Sequence, residues 1–285
     1  MARASLPAVD APAGRSRRGR GRAGRWLLRS VAVLYIAILV ALPLALVFQR
    51  TIADGADAFW EAISAPDAVH AFVITAQIAL IAVAINTVFG LGVALLLARY
   101  RFAGRRLFNL LLDIPVSVSP IVVGLALVLV YGPTQGWFGP PLSDAGVQVI
   151  FALPGMVLAT CFVTLPLVVR EIVPVLQEEG LDQDVAARSL GANSWQRFGR
   201  VTLPTIRWAL AYGVVLSLAR AIGEYGAVRV VSGDVIGQTQ TATLRVGDLA
   251  EQGEPGAYQI SLVLVLFAVL CIVAISLLRP KEKKS

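Results

Sequence analysis

"DVAARSLGANSWQRFGRVTLP", residues 184–204, carries Asp184, three arginines (Arg188, Arg197 and Arg200) and only scattered apolar side chains. The chain around it is 57% hydrophobic and 15% charged, with a mean hydropathy of +0.74. That composition lies outside the range of soluble domains. The polar stretch therefore reads as an ordered, water-facing passage in a chain built for lipid. Glu178, Glu179, Asp182 and Asp184 precede Ala186 and Ala187, an order that suits a helix N-terminus and then its interior. Gly191 supplies a helix stop with a left-handed residue. A second short helix is predicted from about Ser194 through Trp195 and Phe198, ended by Leu203 and Pro204. Trp195 and Phe198 give the passage an apolar face that packing within a membrane does not require.

Outward from this passage lie six apolar stretches, roughly 27–48, 70–98, 112–131, 150–169, 208–231 and 259–278. Each is long enough to cross about 30 Å of hydrocarbon as a helix. Residues 1–26 read as a basic, disordered tail and 279–285 as a second basic tail. Pro115 and Pro120 remove backbone donors at the start of the third span and bend it. The fifth span is the least apolar, because it holds Arg220, Glu224 and Arg229.

The formal charge of +7 is topological. Of the 25 basic residues, 21 lie in the N-terminal tail, the 99–106 loop, residues 170–207 and the C-terminal tail. Six spans with both termini in the cytoplasm place all of these on one face, as the positive-inside rule requires. The arginines of the 99–110 loop read as lipid-facing anchors that snorkel to the interface. This distribution argues against nucleic acid as a partner.

Other chemistries fall away. His70 is the only histidine, which rules out a histidine-built metal site or a His-dependent triad. Cys161 and Cys271 lie in apolar spans and read as small buried hydrophobes. "GRGRAG" at 19–24 fits a dinucleotide fingerprint, but an arginine-rich tail stands where a strand is required. The apolar run after "RSRRGR" is too long for the core of a cleaved signal. No G-x-x-x-x-G-K-[ST] loop occurs, so a partner must hydrolyse any nucleotide that drives this chain.

Ala186-Ala187, Gly191 and Leu203-Pro204 resemble the "EAA…G…LP" loop of ABC importer permeases. "ARAIGEYGAVRVVSG" (219–233), "RRLFNLLLDIPVSVSPIVVGLALVLVYG" and "VTLPLVVREIVPVL" are similar to sulfate permeases of the CysW type. The resemblance covers about residues 68–278 and implies an all-α integral membrane fold, the six-helix type I importer permease with a cytoplasmic coupling helix. It further implies a non-catalytic subunit of a bacterial cytoplasmic membrane complex. Its partners would be a sister permease, two copies of an ABC ATPase that binds ATP and Mg, and an extracytoplasmic sulfate-binding protein. The coupling residues implied are Asp184, Ala186, Ala187, Gly191, Trp195, Phe198, Leu203 and Pro204, within a loop of about 178–206. Those implied for the pathway or gate are Arg220, Glu224, Tyr225 and Arg229. One departure stands out: Val185 occupies the family's Glu position, and Asp184 just before it points about 100° away around a helix.

The energetics fit such a machine. A potential of about 100 mV, inside negative, opposes each negative charge by about 2.3 kcal/mol, or about 4.6 kcal/mol for a dianion. Arg220 and Glu224, four apart on one helix face, suit either a mutually neutralising pair or an anion-biased pathway. Molybdate or tungstate, likewise tetrahedral dianions, remain alternative substrates. An ion-coupled secondary transporter would want repeats and several buried carboxylates, and a membrane enzyme would want a nucleophile and base.

Overall fold

The structure, a computed structural model, describes residues 20–278. The tail expected over 279–285, and most of that over 1–26, lie outside them. Two compact units result, divided at Arg50. The first is one helical run: α1 (Arg20–Ile36), a π-helical turn (Ala37–Ala41) and the start of α2 (Leu42–Ala53). Residues 20–26 are therefore helix where a disordered tail was expected. Every residue from 25 to 46 is exposed.

The second unit begins with the short α3 (Gly55–Ser64) and the long α4 (Pro66–Arg99). Next come α5 (Arg105–Ser117), α6 (Pro120–Tyr131), α7 (Gly139–Asp144) and α8 (Leu153–Glu179). The polar passage forms α9 (Asp182–Ser189) and α10 (Ser194–Arg197), and a π turn (Phe198–Thr202) leads into α11 (Leu203–Ile222). The chain closes with α12 (Gly226–Ser232), α13 (Ala242–Gln252) and α14 (Ala257–Leu278). Among the described residues there is no strand. Five helices are long and apolar enough to cross a membrane, and the bent pair α5–α6 makes a sixth crossing if counted as one.

The unit is organised around α4, α8 and α11. Ala79, Ala82, Ala94 and Ala159 are wholly buried, and such small residues let helix backbones approach closely in lipid. One buried amide adds direction: Asn86 Nδ2 donates to Cys161 O at 3.0 Å and to Thr164 Oγ1 at 2.8 Å, joining α4 to α8. Towards the α9 end, Ala94, Leu97, Val168, Ile172 and Ile206 form one apolar cluster. At the other end Ile74, Ile78, Met156, Val163, Val228 and Val231 form another.

Four expectations are corrected. The third span is no single helix over 112–131. α5 and α6 meet at 111°, because extended Val118 and Ser119 leave Pro120 to open a new helix at its first turn. The fourth runs ten residues beyond its expected end, to Glu179, through Pro166 and Pro174. The fifth, expected over 208–231, stops at Ile222, and α12 turns away to pack on α6 and α8. Gly124 permits that contact: a Cβ there would lie 2.8 Å from Val230 Cβ and 2.9 Å from Ala227 O. Lastly, Leu203 and Pro204 do not end a helix. Ser194–Ile222 is one helical run, and the wider π turn carries it past Pro204, which has no N–H to donate.

Candidate functional site

Two groups of residues stand out, one at each end of the Ser194–Ile222 run. In the polar passage, Gly191 takes φ +84°, and the amides of Gly191 and Ala192 bond back to Arg188 O and Ala187 O, each at 3.0 Å. This left-handed turn closes α9. Asn193 then caps α10 reciprocally: its Oδ1 accepts from Gln196 N at 2.8 Å, while its own N–H donates to Gln196 Oε1 at 2.9 Å. The turn and the cap together leave Leu190 88% exposed and Trp195 83% exposed at the tip. Val185 faces outward with them, as does Ala186, whereas Ala187, Phe198 and Leu203 are half-buried and Pro204 is exposed.

Asp184 does not share that exposure. It is turned inward, within bonding distance of Arg99 and Arg197. Arg99 correspondingly departs from its expected role as a lipid anchor. A pairing between positions 85 apart leaves no local pattern, and Arg99 was missed for that reason.

At the other end, Arg220 lies in the last turn of α11. Glu224 is beyond the helix end rather than on one face with it, and it still reaches back to pair with Arg220 at 2.7 Å. The Glu224 side chain is 1% exposed and that of Arg220 39%. The second Glu224 oxygen accepts from Ala227 N at 3.0 Å and so caps α12, while Glu224 O accepts from Thr243 Oγ1 at 2.7 Å. Glu224 thus organises the break, its buried carboxylate holding α11 and α12 and its backbone carbonyl holding α13, while Arg220 stays partly exposed. Tyr225 lies against Gly247 of α13.

Arg229 belongs to a separate cluster. It bonds Asp234 and, at 2.8 Å, Asp248, which also accepts from Gln240 Nε2 at 2.7 Å. Its charge is thus committed within the protein. Burial, and then the neighbouring Asp248, raise the Asp234 carboxyl above its ordinary value of 3.8. A raised carboxyl binds its proton sooner in the folded state, so acidification from neutral towards 3.8 relieves a folding penalty. Asp234→Asn is therefore expected to flatten the acid side of the stability profile, as read from thermal midpoints in detergent across that range. Among the described residues no group of His, Cys, Asp and Glu could hold a metal.

The chain matches the family described as binding-protein-dependent transport system inner membrane component over residues 86–283. It belongs to that family. It is 45% identical over 258 residues to the sulfate transport system permease protein CysW of Synechocystis, covering 90% of this chain and 93% of that one. The Escherichia coli K12 protein of the same name is 45% identical over 261 residues, covering 90% of this chain and 88% of that one. Sulfate permease 2, chloroplastic, of Chlamydomonas reinhardtii is 51% identical over 220 residues, 77% of this chain, which spans only 59% of that protein's length. A bacterial ABC transporter that imports the acidic polysaccharide alginate superposes with a TM-score of 0.71 at 18% identity, over 92% of this chain and 97% of that one. The fold is accordingly that of a type I importer permease, in a multi-pass membrane protein.

Proposed function

We propose that this chain is the pathway-forming permease subunit of an ATP-driven importer of sulfate. Both termini would lie in the cytoplasm of a bacterium. The chain itself is non-catalytic; a separate ABC ATPase, present in two copies, binds ATP and Mg. A sister permease completes the pathway, and an extracytoplasmic binding protein delivers the anion. The sulfate reading is supported by the CysW relatives, which match over nearly the whole chain. A relative named CysT, from Escherichia coli K12 and 35% identical, supports a related permease as the sister.

One observation carries the mechanism: an unbroken helical run joins exposed Trp195 to the Arg220–Glu224 break. Movement of the ATPase against Leu190 and Trp195 would travel along this run as along a rod. It would arrive at Gly223, where the helix stops and Glu224 holds α12. Repositioning Arg220 there changes the charge that a dianion meets, which is the differential interaction a driven step needs. The Arg220 guanidinium, partly neutralised by Glu224, can attract an anion without trapping it.

The test is uptake of radiolabelled sulfate by cells with and without the gene, with unlabelled molybdate as competitor. Loss of uptake on deletion, with poor competition by molybdate, is expected. Surviving sulfate uptake with lost molybdate uptake would assign the chain to molybdate instead.

A further inference from the structure

Two arginines from distant parts of the chain converge on Asp184. Arg99 is the last residue of α4 and Arg197 the last of α10. Arg99 Nη1 lies 3.2 Å from Asp184 Oδ1, and Arg197 Nη1 lies 2.7 Å from Oδ2. Arg99 also donates through Nη2 to Thr202 Oγ1 at 2.7 Å, in the π turn within the Ser194–Ile222 run, and Arg197 Nη2 reaches Ser194 Oγ at 3.3 Å. The Asp184 side chain is 13% exposed, whereas its neighbour Val185 is 58% exposed.

This knot has little competition. α9 has no buried residue, so apolar packing does not hold it against the membrane helices. The Asp184 carboxylate, with one guanidinium nitrogen on each of its oxygens, provides the directional tie. A shielded pair of this kind resists salt better than an exposed one. On the other side, Arg99 ends the helix whose Ala94 and Leu97 pack with Val168, Ile172 and Ile206. Displacing Arg99 therefore engages α4, α8 and α11 together.

We propose that the Asp184–Arg99 pair is the joint through which force on α9 enters the membrane bundle, and that Asp184 is an internal positioning residue rather than a contact with the ATPase. Val185 then does not stand in for an ionic contact; it adds to the outward apolar surface, while the carboxylate beside it serves the joint. This inference rests on the reading of the chain as an ATP-driven permease.

The test uses the complete assembly in proteoliposomes, comparing wild type, Asp184→Asn, Asp184→Glu, Arg99→Met and the Asp184→Asn/Arg99→Met double variant. Sulfate uptake per ATP hydrolysed, permease-dependent ATP hydrolysis and co-purification of the ATPase are read in the same samples. Asp184→Asn is expected to keep the ATPase bound while uptake per ATP falls about tenfold, within the usual range of coupling between sites. Asp184→Glu should restore most of the coupling, and the double variant should lose less than the sum of the two single losses, as expected of partners that share one interaction. Loss of ATPase binding in Asp184→Asn would make Asp184 a docking contact and overturn the proposal. Wild-type coupling in that variant, or additive losses in the double, would overturn it equally. A wild type that hydrolyses ATP but takes up no sulfate would sink the substrate reading alone. The joint would then be decided by whether Asp184→Asn changes permease-dependent hydrolysis: a change supports it, no change refutes it.

Discussion

Gly191→Val is expected to abolish sulfate uptake while the chain still inserts and assembles. Nothing lies within 4 Å of a Cβ built at Gly191, so the substitution meets no neighbour. The cost is in the backbone. At φ +84° a β-branched side chain is strained by about 1–3 kcal/mol. In a surface turn held by two backbone bonds, that is enough to favour another conformation. The register between α9 and α10 would then be lost, and with it the joint presentation of Leu190 and Trp195. Asparagine tolerates the left-handed region, so Gly191→Asn should keep most of the uptake. The check is uptake beside a membrane-fraction blot. Normal transport by Gly191→Val would show that the turn does not transmit force.

Arg220→Ala is expected to lower uptake by about tenfold or more, equivalent to at least about 1.4 kcal/mol on the driven step. Part of any loss would be structural, because the nearly buried Glu224 carboxylate would keep only its bond from Ala227 N. Stripping a partner from a fully buried pair costs about 3–5 kcal/mol; here the cost is smaller, since Arg220 is 39% exposed. Adding Glu224→Gln separates the two effects. The amide oxygen can still cap α12 and the stranded charge is gone, so the double variant should recover thermal stability. It should not recover uptake. Wild-type transport by Arg220→Ala/Glu224→Gln would reduce Arg220 to a structural partner of Glu224.

What sequence could show depended on the range of the interaction. Apolar runs located the membrane helices, because insertion in lipid is decided segment by segment. Gly191 was legible for the same reason: the need for a positive φ is local. Breaks were legible as places but not as angles. Pro115 and Pro120 announced a bend, yet the 111° between α5 and α6 is set by the extended Val118 and Ser119 between them, which no spacing of prolines specifies. The stop after Ile222 had a signal in Gly223 and Gly226, which a continuous apolar count passes over. The amphipathic α13 lay in a stretch too polar to register as a span. Asp184 could be singled out, but its partner at Arg99 required the fold. So did the burial of Glu224, whose cap on α12 exists only because α11 ends where it does.

On the proposed mechanism, Ser194–Ile222 moves as one rod and delivers its motion at the Gly223 break. Spin labels at Gln196 and Leu216, about 30 Å apart along a helix, and a second pair at Leu216 and Val235 beyond the break, test it directly in the assembled complex. With ATP, the first distance is expected to stay constant and the second to change. A first distance that changes while the second does not would mean that the helix bends before the break and that no motion reaches Gly223.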